Sequence, residues 1–190
     1  MTAGEAAPAS ARLRLFVALD LPEAVRAGLA RFRDAAADAA VWRPLAASSF
    51  HVTLAFLGHR PAEHATQVAA VLDAVEDRPA PELAVGAALL LPPRGARVLT
   101  VALEGADGEL ARLQADVSAG LAAAGLYEPE ARPFRPHVTV ARLRPGARAP
   151  RTVAAAPESI AFTADGVTLY RSRLGRGGAA YEPLFTRTLG

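Results

Sequence analysis

The chain reads as an α+β protein of two lobes, with two histidine-bearing strands facing each other across a cleft. Three observations predict this. Helical and strand patterns are mixed along the chain instead of alternating as regular βαβ units. Pro92-Pro93-Arg94-Gly95 is a strong turn signal between two strand candidates, and a short hairpin requires antiparallel pairing. A His-x-Thr-aliphatic phrase occurs twice, as His51-Val52-Thr53-Leu54 and His137-Val138-Thr139-Val140, its copies starting 86 residues apart. A helix, a loop and a His-x-Thr strand in each half make a duplicated module.

The elements follow in order. Residues 1–11, rich in Ala, Pro and Gly, read as a disordered tail, and residues 12–190 as a single two-lobed domain. Leu13–Leu19 is an apolar strand ended by Asp20-Leu21-Pro22. A helix then runs to about Ala40, with Asp20 placed to cap it and Pro22 tolerated near its first turn. Val25, Leu29 and Phe32 form its apolar stripe. Trp42-Arg43-Pro44 breaks it, and a loop leads to the first His strand, Phe50 to Leu57, closed by Gly58.

Pro61–Glu76 is a second amphipathic helix with Val68, Val71, Leu72 and Val75 inward. Strands at Glu82–Leu91 and Arg97–Glu104 flank the proline turn. Asp107–Ala124 is a third helix carrying Leu110, Leu113, Val117 and Leu121, stopped by Gly125. The second His strand is His137–Leu143. A polar loop, Arg144–Pro157, and strands near Ser159–Thr163, Gly166–Ser172 and Tyr181–Arg187 complete the chain.

Composition bounds the function. At 190 residues one domain suffices, and such a chain buries roughly 70% of its unfolded surface. Cysteine is absent, which removes disulfides and thiolate metal sites and suits a reducing cytoplasm. All 21 basic side chains are arginine, yet the net charge is only +2, so the isoelectric point of 9.6 is not in itself a nucleic-acid footprint. Arg132, Arg135, Arg142, Arg144, Arg148 and Arg151 do cluster around the second His phrase, and guanidinium groups favour phosphate. No stretch reaches the ~18 apolar residues of a membrane span. The first residues lack the pattern of a signal peptide, so a cytoplasmic protein is expected.

In an extended strand the side chains of residues i and i+2 share a face. Each phrase therefore presents one imidazole and one hydroxyl together, with two aliphatic side chains behind. Histidine has an unperturbed pKa of ~6.5, so one ring can serve as base while another serves as acid. In-line displacement at phosphorus needs that combination, and each partner contributes ~10²–10⁴-fold. Thr53 and Thr139 supply donors for phosphate oxygens. No metal or other cofactor is required. His59 and His64 lie outside the pattern and read as structural or exposed residues.

The chain resembles the 2H phosphoesterase superfamily, and within it the RNA 2′,3′-cyclic phosphodiesterases, also described as 2′-5′ RNA ligase-like. The segments that carry the resemblance are Arg14-Leu15-Phe16-Val17-Ala18-Leu19-Asp20-Leu21-Pro22, Phe50-His51-Val52-Thr53-Leu54-Ala55-Phe56-Leu57-Gly58, Arg135-Pro136-His137-Val138-Thr139-Val140-Ala141-Arg142 and Leu169-Tyr170-Arg171-Ser172. They span nearly the whole chain. Phe50 departs from the smaller aliphatic residue many relatives carry, a packing difference only. The resemblance implies a bilobal, pseudo-twofold fold, with antiparallel sheets lining the cleft and helices outside.

It further implies metal-independent hydrolysis of a 2′,3′-cyclic phosphate on an RNA end or small nucleotide to a 2′-phosphomonoester. His51 would protonate the departing 3′ oxygen and His137 would activate water, an assignment the sequence allows to be exchanged. Thr53 and Thr139 would hold the phosphate. Arg142 would join them, although strict alternation puts it on the opposite face from His137, so that it needs a bulge or a strand end to reach the site. Phe16 either offers its ring to the base or ribose or is a core aromatic. A monomer is expected.

Other chemistries fit the same pair: a 2′-5′ oligonucleotide hydrolase or ligase, an ADP-ribose cyclic phosphatase, or an RNA-end binding module that does not cleave. A metallohydrolase fits poorly, because the two histidines lack an acidic ligand pattern beside them.

Overall fold

The computed structural model describes residues 11–75, 78–105, 108–175 and 178–190. Its elements are β1 (Arg12–Leu19), α1 (Glu23–Ala36), β2 (Trp42–Pro44), β3 (Val52–Pro61), α2 (His64–Asp73), β4 (Glu82–Leu91), β5 (Val98–Glu104), α3 (Glu109–Ala123), β6 (His137–Leu143), β7 (Ala161–Thr163), β8 (Gly166–Gly175) and β9 (Gly178–Thr188). Residues 1–10 of the expected tail, Glu76 at the expected end of α2 and Asp107 at the expected start of α3 lie outside the described residues. The helical stripes are where periodicity puts them: Val25, Leu29 and Phe32 on α1, Val68 and Leu72 on α2, and Leu110, Leu113, Val117 and Leu121 on α3 are buried. Val71 is half-buried.

Several boundaries differ for identifiable reasons. Asp20 does not cap α1; Pro22 takes the N-cap position without a side-chain bond, and the Asp20 carboxylate accepts from Thr168 and Tyr170 instead. Helix α1 stops at Ala36, short of Ala40. Asp38 ends it by a local turn: its side chain accepts from the Ala40 N–H, and its carbonyl from the Val41 and Trp42 N–H groups. Trp42-Arg43-Pro44 is strand rather than loop. Burial of the Trp42 ring pins this segment against β6, and Pro44 is tolerated because the strand is an edge. Strand β3 runs on through Gly58 to Pro61, and β8 and β9 extend beyond their expected ends.

The expected sheets are one nine-stranded sheet, ordered β7-β4-β5-β6-β3-β1-β8-β9 with β2 also on β6, and every pairing is antiparallel. The order is symmetric about the β3/β6 boundary. There the two halves share a single recorded pair, Val52 opposite Val138. The helices interlock the halves. Helix α1 follows β1 but packs on β6, while α3 follows β5 but packs on β3; α2 covers β8 and β9. Gly120 lets α3 approach α2, because a Cβ there would lie 2.8 Å from the Val71 side chain.

Strand β3 carries extra residues at Leu54 and Leu57 relative to β1. The second irregularity is followed by Gly58 at φ +73°, a conformation that suits glycine. The nearest atom to a Cβ at that position is 4.0 Å away, so the space is open and only the backbone is strained. Gly58→Ala is expected to cost about 1–2 kcal/mol in urea unfolding; an unchanged midpoint contradicts this account of the bulge.

Candidate active site

The site grows from the Val52–Val138 pair. Antiparallel pairing there places His51 opposite Thr139 and Thr53 opposite His137. Val52, Leu54, Val138 and Val140 are buried on the helix side, so the two imidazoles and two hydroxyls turn to the other face. The local twofold runs between the valines, and the histidines occupy opposite corners of the four-residue cluster. Directly opposed positions in such a pair have Cβ atoms about 5 Å apart.

The rings are oriented alike. Nδ1 of His51 donates to the Ser49 carbonyl at 2.8 Å, and Nδ1 of His137 donates to the Arg135 carbonyl at 2.7 Å. A carbonyl only accepts, so in both rings Nδ1 carries the proton and Nε2 is left for chemistry. Both carbonyls belong to the residue two positions upstream. The duplicated phrase thus includes its own anchor.

Strand alternation fails at one place in each phrase. In β6, Thr100 pairs with Thr139 and Leu99 with Ala141, which leaves Val140 as an extra residue. In β3, Ala18 pairs with Thr53 and Val17 with Ala55, which leaves Leu54 extra. These bulges bring Arg142 and Phe56 back to the face of the histidines. Arg142 therefore reaches the cleft by the bulge that simple alternation could not supply. Arg43 of β2 pairs directly with Arg142, so two arginines are cross-strand neighbours on this half.

The β3 half is aromatic instead. Phe16 pairs with Phe56 and with Tyr170, and Tyr181 of β9 pairs with Ser172. The His51 ring lies 4.8 Å from that of Phe16 and 5.2 Å, edge-on, from that of Tyr181. Tyr170 stacks on Phe16 at 5.3 Å and donates to Asp20 at 2.7 Å; Thr168 donates to the other Asp20 oxygen. Burial, reinforced by the Asp20 carboxylate, pushes the Tyr170 phenol up, so it remains a donor.

Phe16 is 3% exposed and covered by these rings, so it presents no open face to a base; it supports His51. The accessible ring is that of Phe56, 43% exposed. Aligning the two phrases as His-Val-Thr-Leu-Ala-Phe and His-Val-Thr-Val-Ala-Arg would have singled out Phe56. For Tyr181 no local signal exists, since its place depends on the β8–β9 register.

Burial lowers the His51 pKa to about 4. The Ser49 carbonyl opposes this shift, and the charges of Arg142 and His137 add to it. The free protein thus holds this ring neutral. Because the folded value lies below the unfolded one, His51 contributes stability that is present above pH ~6.5 and is lost as pH falls toward 4. Between those limits the melting temperature of the wild type is expected to fall more steeply with acidification than that of His51→Gln. Parallel curves from calorimetry at a series of pH values would show that the ring is not enclosed as described.

Comparison with known proteins gives a consistent picture. The family profile of the 2′-5′ RNA ligase superfamily matches residues 21–176. An RNA 2′,3′-cyclic phosphodiesterase of Thermus thermophilus is 33% identical over 181 residues, covering 90% of this chain and 88% of its own. The crystal structure of Escherichia coli LigT complexed with 3′-AMP superposes with a TM-score of 0.81 at 28% identity, covering 94% of this chain and 99% of that one. Another solved structure, of a Thermus thermophilus protein, gives 0.81 at 32% identity, over 93% and 98%. The symmetric sheet, the paired His-x-Thr strands and these matches together show that the chain belongs to the 2′-5′ RNA ligase superfamily of 2H phosphoesterases.

Proposed function

We propose that this protein hydrolyses 2′,3′-cyclic phosphates on RNA ends or nucleotides to 2′-phosphomonoesters, without metal, and that His51 and His137 are its acid and base. The observation that carries the reading is the pair of Nδ1-anchored imidazoles flanking one site with a threonine hydroxyl beside each. Relatives named RNA 2′,3′-cyclic phosphodiesterase support the substrate class.

The geometry supports the following chemistry. Nε2 of His137 takes a proton from water as its oxygen attacks phosphorus. The bond from phosphorus to the 3′ oxygen breaks, and Nε2–H of His51 protonates that oxygen. The phosphate remains on the 2′ oxygen, a 3′ hydroxyl is left, and the two rings have exchanged protonation states. Thr53 and Thr139 donate to the non-bridging oxygens, and Arg142 balances their charge; a hydrogen bond to a charged group contributes ~1.5–3 kcal/mol.

The aromatic half supports the assignment of His51 to the leaving oxygen. A base stacks on an exposed aromatic ring, and Phe56 offers one on that side, whereas the Arg43–Arg142 side suits solvent and charge. The bound anion offsets the burial of His51 and draws a proton onto its ring.

The same reading makes residues 12–190 one catalytic unit in a cytoplasmic monomer, which size-exclusion chromatography checks at a single-chain mass. No helix among the described residues is long and apolar enough to cross a membrane.

The direct test is an RNA ending in a 2′,3′-cyclic phosphate, incubated in EDTA, with the product located by phosphorus NMR. A 2′-phosphate is expected, and His51→Ala and His137→Ala should each lose ~10²–10⁴-fold in turnover. Near-normal turnover in both variants, or loss of wild-type activity on chelation, contradicts the mechanism.

A further inference from the structure

Beyond the aromatic row, the β3 half carries a cationic row that the chemistry above does not use. Arg14 lies two residues past Phe16 on β1, about 7 Å farther along the strand. Its register partner on β3 is His59, exposed on the same face. The Arg14 guanidinium is half-buried and held on two sides. It donates to the Ser172 hydroxyl at 2.7 Å, and its carbon sits 4.6 Å from the centre of the Phe56 ring. Among the described residues no carboxylate pairs with it, although Arg26, Arg31, Arg33, Arg78 and Arg173 all have one. Arg12 follows, donating to the His59 carbonyl.

A guanidinium pre-oriented by stacking and by a neutral hydroxyl, with its charge unmatched, is an anion site waiting for its partner. Its position says which anion. Counting outward from the Val52–Val138 pair, the cleft face of this half presents Thr53, then Phe16 and Phe56, then Arg14 and His59. That succession of phosphate donor, aromatic surface and cation repeats the order of phosphate, nucleoside and phosphate in an RNA strand. From Ala18, the register partner of Thr53, to Arg14 is four residues, about 13 Å along β1; the Arg14 guanidinium leans back over Phe56, which shortens that span toward the separation of neighbouring phosphates. Arginines on phosphates fix register without reading sequence.

We propose that Arg14, held by Ser172 and Phe56 with His59 beside it, is a subsite for the phosphodiester one nucleotide upstream of the cyclic phosphate. The enzyme is then built for the ends of oligonucleotides in preference to mononucleoside cyclic phosphates, with no preference among bases at the upstream position. This inference rests on the proposed cyclic phosphodiesterase activity and on the ribose lying over the His51 half.

The test compares three substrates: cytidine 2′,3′-cyclic phosphate, the dinucleotide CpC ending in the same cyclic phosphate, and that dinucleotide with a neutral methylphosphonate linkage. The wild type should favour the charged dinucleotide over the mononucleotide by about tenfold or more in kcat/KM, the size of one charge-assisted hydrogen bond. The gain should lie mainly in KM and vanish with the methylphosphonate. In Arg14→Gln the dinucleotide-to-mononucleotide ratio should collapse toward one, and Arg14→Lys should restore part of it.

A wild-type ratio near one, or an unchanged preference for the methylphosphonate, overturns the subsite while leaving the activity intact. So does an Arg14→Gln variant that keeps its preference, which would make Arg14 a clasp between strands only. Should Arg14→Gln fail to fold, the wild-type comparison of the charged and neutral linkages decides. Turnover of neither natural substrate by the wild type overturns the parent activity and the subsite with it.

Discussion

The structure depends on one narrow contact, the pairing of Val52 with Val138 between the central strands of the sheet. It is the only recorded pair between β3 and β6, so the two halves meet edge to edge over a very short length. Both valines are fully buried, and on the opposite face the two histidines and two threonines are neighbours because of it. A slip of one residue in either strand would turn its phrase over and bury its imidazole. The crossed helices guard against this. Helix α1 leaves one half to cover β6, and α3 leaves the other to cover β3, so neither half can shift without disturbing the packing of its partner.

From this symmetric centre the halves diverge in chemistry. Equivalent bulges after the two threonines deliver Phe56 on one side and Arg142 on the other. Around Phe16, the register partner of Phe56, gather His51, Tyr170 and Tyr181; Arg43 is the register partner of Arg142. The two imidazoles are thereby placed between an aromatic wall and a charged one. A nucleotide can use both, because its base stacks on aromatic faces while its phosphate carries charge. The environment also separates the two histidines. Only His51 lies against aromatic rings, and its depressed pKa follows from that enclosure. Identical tetrapeptide patterns can therefore carry different roles without any change in the phrase itself.

The legible part of this arrangement is what period and composition encode. Strands β4 and β6 and the stripe of α3 sit where apolar patterning puts them, and the His-x-Thr phrases lie on adjacent strands of one face. What escapes depends on partners distant in sequence. A bulge is a property of two strands in register, so Arg142 looks misplaced until β5 is set against β6. Asp20 carries the marks of a helix cap, yet Thr168 and Tyr170, almost 150 residues later, claim its carboxylate. Trp42 resembles a helix breaker because its burial on β6 is a tertiary fact. Tyr181 comes to His51 through a hairpin whose register the chain does not announce.

Whether His51 and His137 share one anion is decided by proton NMR of both imidazoles while a nucleoside 2′-phosphate is added near pH 6. Both sets of ring resonances should move with the same midpoint concentration, and the His51 ring should take up a proton from its depressed starting point. Movement of one ring alone, or two unrelated midpoints, would show that the two histidines do not serve a single phosphorus atom.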